Sequence, residues 1–178
     1  MVVMRLLVLG DTHIPRRASR IPEEFDRLFK ELEYDAVVCT GDLTDKSVLD
    51  YLKGLGELHV VRGNMDHLPL PETAVIDAEV KVGVLHGDQV YPRGDREQLQ
   101  DLAAEMKVDV LISGHTHSPD VFKGRAVLLN PGSATGVWGG GGGAGIPSFM
   151  LVDVGDKIDV TLFRLRDRVV EERFEIKL

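Results

Sequence analysis

Apolar residues fall along this chain in short runs, and each run in the first two thirds stops at small or polar residues. Residues 6–9 run into Gly10-Asp11-Thr12-His13, and 35–40 into Gly41-Asp42. Residues 58–61 lead through Arg62 into Gly63-Asn64, and 80–85 run into His86-Gly87. Residues 108–113 precede Gly114-His115-Thr116-His117, and 127–129 precede Asn130-Pro131-Gly132-Ser133. Bounded apolar runs of this kind read as short buried strands. Helical spacing appears between them. Pro22 opens a helix with Glu23 and Glu24 in its first turn and an apolar face of Phe25, Leu28, Phe29 and Leu32. A second helix is expected over about 45–54, with Val48, Leu49 and Leu52 inward and Gly54 and Gly56 ending it. A third is expected over about 94–106, with Leu99, Leu102, Ala103 and Met106 as its inner face.

After about residue 120 the pattern changes to strands over 120–129, 148–154, 157–164 and 168–177, joined by turns such as Val154-Gly155-Asp156-Lys157. Parallel-sheet signals thus come first and antiparallel ones later. Two stacked sheets with outer helices would bury the apolar faces of both halves. The stretch from Gly139 to Gly145 is too glycine-rich for a regular element and lacks the Lys and Ser/Thr ending of a phosphate loop, so it reads as a mobile loop near the site.

Composition narrows the class. The 178 residues fit a single domain over 1–178 with a sizeable core, and 43% hydrophobic with 28% charged residues is ordinary for a globular protein. No apolar stretch approaches a membrane span and no leader peptide is read, which points to a cytoplasmic protein. Cys39 is the only cysteine, excludes an intrachain disulfide and reads as a small core residue. A formal net charge of −8 argues against duplex nucleic acid as a partner but not against phosphate substrates, because bound metals supply local positive charge.

The candidate chemistry lies in the strand-end knots. Strand ends of an open α/β sheet share one edge, where ligands bind. This edge collects Asp11, His13, Asp42, Asn64, His86, His115 and His117. Such oxygen and nitrogen donors suit Mn, Ni, Fe or Zn. Two divalent ions need a bridging carboxylate, for which Asp42 is the candidate. Asp11, His13 and His117 would complete one ion, and Asn64, His86 and His115 the other. A hydroxide bridging the ions would attack phosphorus in line with the departing alcohol. Each residue alone has a structural reading: Asp11 and Asp42 as turn or cap residues, Asn64 in a left-handed turn, any one histidine as solvated. Those readings do not jointly account for such residues at successive strand ends. His59 and Asn130 keep the structural reading.

Asp11-x-His13, Gly41-Asp42, Gly63-Asn64, His86-Gly87 and Gly114-His115-x-His117, in that order, resemble the calcineurin-like metallophosphoesterases. The short length and the Asn130-Pro131-Gly132-Ser133 knot are most similar to the small prokaryotic phosphodiesterase branch. The resemblance implies a four-layer α/β/β/α sandwich of two mixed sheets with outer helices. It also implies two divalent metal ions, manganese first with nickel, iron or zinc as alternatives, and hydrolysis of a small or aryl phosphodiester. Asp42, Asn64 and His115 would be catalytic, and the ligand set inferred above matches the family pattern. Many members carry a histidine after the asparagine; here Met65 stands there, and Asp66 or His67 is the candidate replacement. Many also place an arginine after the Asn-Pro-Gly-Ser knot. This chain has none, leaving Arg16, Arg17 or Arg93 to contact phosphate and Trp138 to stack on a base or aryl group, each weighed against simple solvation. The alternatives are a phosphomonoesterase or nuclease, a metal or phosphate sensor, and a non-catalytic scaffold like the family's eukaryotic trafficking subunit. A homodimer is a further expectation, since small relatives often pair.

Overall fold

Eleven strands and three helices make up the described chain: β1 Met4–Leu9, α1 Glu23–Glu31, β2 Ala36–Cys39, α2 Lys46–Leu55, β3 Leu58–Val60, β4 Thr73–Asp77, β5 Lys81–Leu85, α3 Arg96–Met106, β6 Val110–Ile112, β7 Asp120–Lys123, β8 Val127–Asn130, β9 Ser148–Val154, β10 Lys157–Leu165 and β11 Val169–Lys177. The computed structural model describes residues 2–143 and 145–178; Ala144, inside the glycine-rich stretch, and Met1 lie outside the described residues.

The first sheet runs in the order β11-β10-β9-β1-β2-β3 and the second β4-β5-β6-β8-β7. β1, β2 and β3 are parallel, and β9 joins β1 antiparallel. In the second sheet β5, β6 and β8 are parallel, while β4 and β7 form antiparallel edges. Both sheets are therefore mixed.

Side-chain alternation divides the apolar residues into three packed layers. Leu6, Val8 and Val38 of the first sheet meet Val84, Ile112 and Leu129 of the second between the sheets. Leu7, Leu9 and Val37 point the other way, onto Phe25 and Phe29 of α1 and Leu52 of α2. Leu85, Leu111 and Leu128 cover Leu99 and Ala103 of α3. The result is the four-layer α/β/β/α sandwich. Because central strands are buried on both faces, their sequences read as continuous apolar runs rather than alternating ones.

Polar side chains set the ends of two helices. Asp45 accepts a hydrogen bond from Ser47 N at 3.0 Å and caps α2, and Asp95 accepts from Gln98 N at 3.0 Å and caps α3. The third helix thus starts at Arg96 rather than 94, and the second runs on to Leu55. No described helix is long and apolar enough to cross a membrane.

Two expectations are corrected. Residues 120–129 are not one strand but a hairpin, β7 and β8, turned at Gly124 with Gly124 N donating to Ala126 O. Buried Gln100 of α3 closes that turn: its amide donates to Ala126 O at 2.9 Å and accepts from Ala126 N at 2.7 Å. The second correction is β4, which places an antiparallel pair well before residue 120. This edge strand buries only Ile76 fully, so its apolar signal is weak.

Candidate metal centre

Every predicted ligand stands just beyond the C-terminal end of a parallel strand. Asp11 and His13 follow β1, Asp42 follows β2, Asn64 follows β3, His86 follows β5, and His115 and His117 follow β6. The packed sheets bring six of them together as two triads, Asp11–His13–His117 and Asp42–His86–His115. Within each triad the donor atoms lie within 4.8 Å of one another. The triads touch. Asp42 Oδ2 is 3.1 Å from His86 Nε2 in its own group and 3.4 Å from His13 Nε2 in the other. Asp11 Oδ1 likewise faces His117 Nε2 at 3.5 Å and His86 Nε2 at 3.8 Å.

The backbone that aims these groups is unusual. Asp11, His13, Asp42, His115 and His117 have φ of 53°, 47°, 54°, 73° and 60°. Left-handed backbone is uncommon outside glycine, though Asp and His tolerate it better than most residues. Five such residues at one spot store strain, which the surrounding sheets must hold. Glycines make the approach possible. A Cβ on Gly114 would lie 2.7 Å from Asp11 Oδ2, and one on Gly63 2.6 Å from Asp42 Cγ.

Hydrogen bonds orient four of the candidate ligands, His86, His117, Asp11 and Asp42. His86 Nδ1 donates to Thr40 O and His117 Nδ1 to Val137 O, both at 2.7 Å, which turns each Nε2 toward the centre. Asp11 Oδ2 accepts from His115 N at 3.0 Å, and Asp42 Oδ1 from Met65 N at 2.8 Å. The other carboxylate oxygens remain for the centre. Asp11 Oδ1 is buried without a hydrogen-bond partner. His13 Nε2 and His117 Nε2 face each other at 3.2 Å, as do His115 Nδ1 and His86 Nε2. A buried carboxylate oxygen with no hydrogen-bond partner, set among clustered imidazole nitrogens, is costly unless a cation sits beside it. The donor set therefore fits divalent metal.

Proton affinities carry the same message. Burial pushes Asp11 up to about 6. Burial works to lower His86, but the hydrogen bond to Asp42 and the charges of Asp11 and Asp42 overcome it and hold the imidazole at about 9. Positive charge is thus favoured at His86 Nε2. Burial brings His13 and His115 down to about 4, so both are neutral donors at pH 7. Burial also works to raise Asp42, but its hydrogen bond to His86 keeps it below the usual carboxylate range.

The model of the calcineurin-like phosphoesterase superfamily domain matches residues 4–157. The chain belongs to that superfamily. It is similar to a probable metallophosphoesterase of Methanocaldococcus jannaschii, 42% identical over 171 residues, covering 92% of this chain and 83% of the relative. Among solved structures it resembles wild-type Vps29 of Entamoeba histolytica complexed with zinc, at 41% identity and a TM-score of 0.86 over 97% of this chain and 99% of the other. Vacuolar protein sorting 29 of Cryptosporidium parvum is similar at 30% identity and a TM-score of 0.94 over the whole of both chains.

The remaining residues of this metallophosphoesterase site divide by exposure. Asn64 and His67 are exposed and line, with Asp88 and Gln89, a cleft of about 350 Å³ beside Gly63. Asp66, expected beside His67 as a possible proton donor, is instead buried and fully engaged. Its carboxylate accepts 2.8 Å hydrogen bonds from Asp42 N, Thr44 N and Gly63 N, which ties the loops after β2 and β3 together. Sequence reading also understated the knot after β8. Asn130 Nδ2 donates to Gly114 O at 3.1 Å, Ser133 Oγ to Asp11 O at 2.7 Å and Thr135 Oγ1 to Thr12 O at 2.9 Å. That knot stitches the ligand loops of the two sheets together. Main-chain acceptors such as Thr40 O and Val137 O leave no mark in residue identity.

Proposed function

We propose that this protein is a dinuclear, manganese-dependent phosphodiesterase acting on small or aryl phosphodiesters. The observation that carries the reading is the oxygen Asp42 Oδ2, which faces a histidine of each triad and so could serve both ions. Divalent metal held there would supply positive charge for the phosphate oxygens and lower the proton affinity of bound water. The chain's own groups do the rest. Asp11, His13 and His117 would hold one ion; His86, His115 and Asn64 would hold the other. Asn64 follows Gly63, which packs directly on Asp42. His67, exposed in the same cleft, gives a proton to the leaving alcohol. Asp66 acts through the backbone of the Asp42 loop and does not itself meet substrate. Zinc in the Entamoeba relative supports metal binding by this fold.

A second reading, a protein-binding scaffold, is favoured by the likeness to the Vps29 structures. The intact ligand set weighs against it. Stripped protein supplied with Mn, Ni, Zn or no metal separates the two. The phosphodiesterase restores turnover of bis-p-nitrophenyl phosphate, with little on p-nitrophenyl phosphate. Asp42→Asn and His115→Ala abolish that turnover, and wild-type rates in either variant would sink the assignment. Protein that binds two metals per chain and turns over neither ester would leave the scaffold ahead.

A further inference from the structure

Three consecutive carbonyls in the loop after β8 take hydrogen bonds from three distant parts of the chain. Val137 O accepts from His117 Nδ1 at 2.7 Å, Trp138 O from Arg17 Nη1 at 2.9 Å, and Gly139 O from Arg93 Nη1. One short segment thus holds a metal-ligand candidate and two guanidiniums side by side. The glycines explain how it fits. A Cβ on Gly139 would lie 2.9 Å from His117 Cγ, and one on Gly141 3.2 Å from Arg93 Nε. Bare backbone at Gly139 lets the segment lie against the His117 imidazole, and Gly141 packs closely on Arg93.

These two arginines differ from others on the surface. Arg5, Arg62, Arg96 and Arg164 are each paired with a carboxylate. Among the described residues neither Arg17 nor Arg93 makes an ion pair; the hydrogen bond each makes ends on a carbonyl. A guanidinium has five N–H donors, so most of each fork stays available. Both side chains are exposed, in a protein of net charge −8. Trp138, whose carbonyl holds Arg17, is 68% exposed.

We infer that Arg17, Arg93 and Trp138 form the substrate-recognition rim of the metal centre, and that the ester it takes is nucleotide-like, an anionic phosphate carried beside a flat base. Guanidiniums pair with phosphate oxygens through their forks, and an exposed indole stacks on any base. The inference rests on the phosphoesterase reading and deepens it by naming the substrate class.

Trp138 is the only tryptophan, so its fluorescence reports binding at the rim directly. Manganese-loaded, desalted protein is titrated with AMP, adenosine and inorganic phosphate, and the same preparation is assayed on bis-p-nitrophenyl phosphate. AMP is expected to change the fluorescence at lower concentration than adenosine or phosphate. Arg17→Gln and Arg93→Gln should each raise the AMP Kd about ten-fold while leaving adenosine within two-fold. Equal losses for AMP and adenosine would indicate a disturbed loop and overturn the inference, as would variants that bind AMP like the wild type. If bis-p-nitrophenyl phosphate is hydrolysed but AMP binding ignores both arginines, the rim falls and the phosphoesterase reading stands. If AMP binding depends on both arginines while no ester is turned over, the rim stands and the hydrolytic reading falls.

Discussion

Two neighbours, Asp66 and His67, show how one step along the backbone separates structure from chemistry. Asp66 is buried with three main-chain amides on its carboxylate, whereas His67 is exposed in the cleft beside Asn64. Asp66→Asn turns an amide N–H toward amide donors, and hydrogen bonds to a charged group are worth about 1.5–3 kcal/mol each. The variant should lose about 2–4 kcal/mol of stability and, because Asp42 N is one of the three donors, retain less metal. Thermal unfolding and metal content per chain check both, and unchanged values would remove Asp66 from the supporting structure. His67→Ala should behave oppositely. Its Tm and metal content should match the wild type. Turnover of bis-p-nitrophenyl phosphate should change little, because p-nitrophenol leaves without help, while esters of poor alkyl leaving groups should slow by about 10²–10⁴-fold. An equal effect on both ester types would exclude the proton-donor role.

At the scale of elements, the centre is assembled from loops that lack regular structure but are cross-tied. The knot after β8 fastens the β6 loop through Asn130 and the β1 loop through Ser133. Asn130 touches neither triad's donor atoms, yet its amide holds Gly114 O and Thr116 Oγ1, on either side of His115. Asn130→Ala should therefore weaken metal binding by about 10–100-fold with the ligands themselves unaltered, as read by competition with a chelating dye. Wild-type affinity would show that the sheets alone position the β6 loop. The hairpin β7–β8 belongs to the same scale. Gln100 of α3 supplies its turn with both a donor and an acceptor, a pairing that no local pattern announces.

At the scale of the molecule, the apolar layer between the sheets carries stability, while the candidate ligands gather at their shared edge. Met150 lies wholly buried in that layer. Met150→Ala should cost about 2–5 kcal/mol without moving a ligand, so metal per chain should stay at the wild-type value. Cys39 provides the readout, since burial pushes its thiol up to about 12 and keeps it from reagents in the folded state. Alkylation of Cys39 should be negligible in the native protein and accelerate in Met150→Ala at low denaturant. Rapid labelling of folded wild-type protein would contradict the burial of β2.

The residue types and order of the candidate ligands can be read in the sequence because strand ends carry their chemistry in residue identity. Gly41-Asp42 and Gly114-His115-Thr116-His117 mark candidate ligand loops by residue identity alone, and the doubly buried strands before them read as unbroken apolar runs. What the sequence could not carry was anything settled by contact between distant segments. The sharing of Asp42 Oδ2 between two triads depends on how the two sheets stack. The engagement of Asp66 depends on which amides the loops after β2 and β3 present, and the grip of Val137, Trp138 and Gly139 on His117, Arg17 and Arg93 depends on carbonyls that every residue possesses. β4 escaped notice because an edge strand needs few buried side chains. Side-chain identity is written in the chain, whereas the use made of identical backbone groups is decided only when packing brings them within hydrogen-bonding distance.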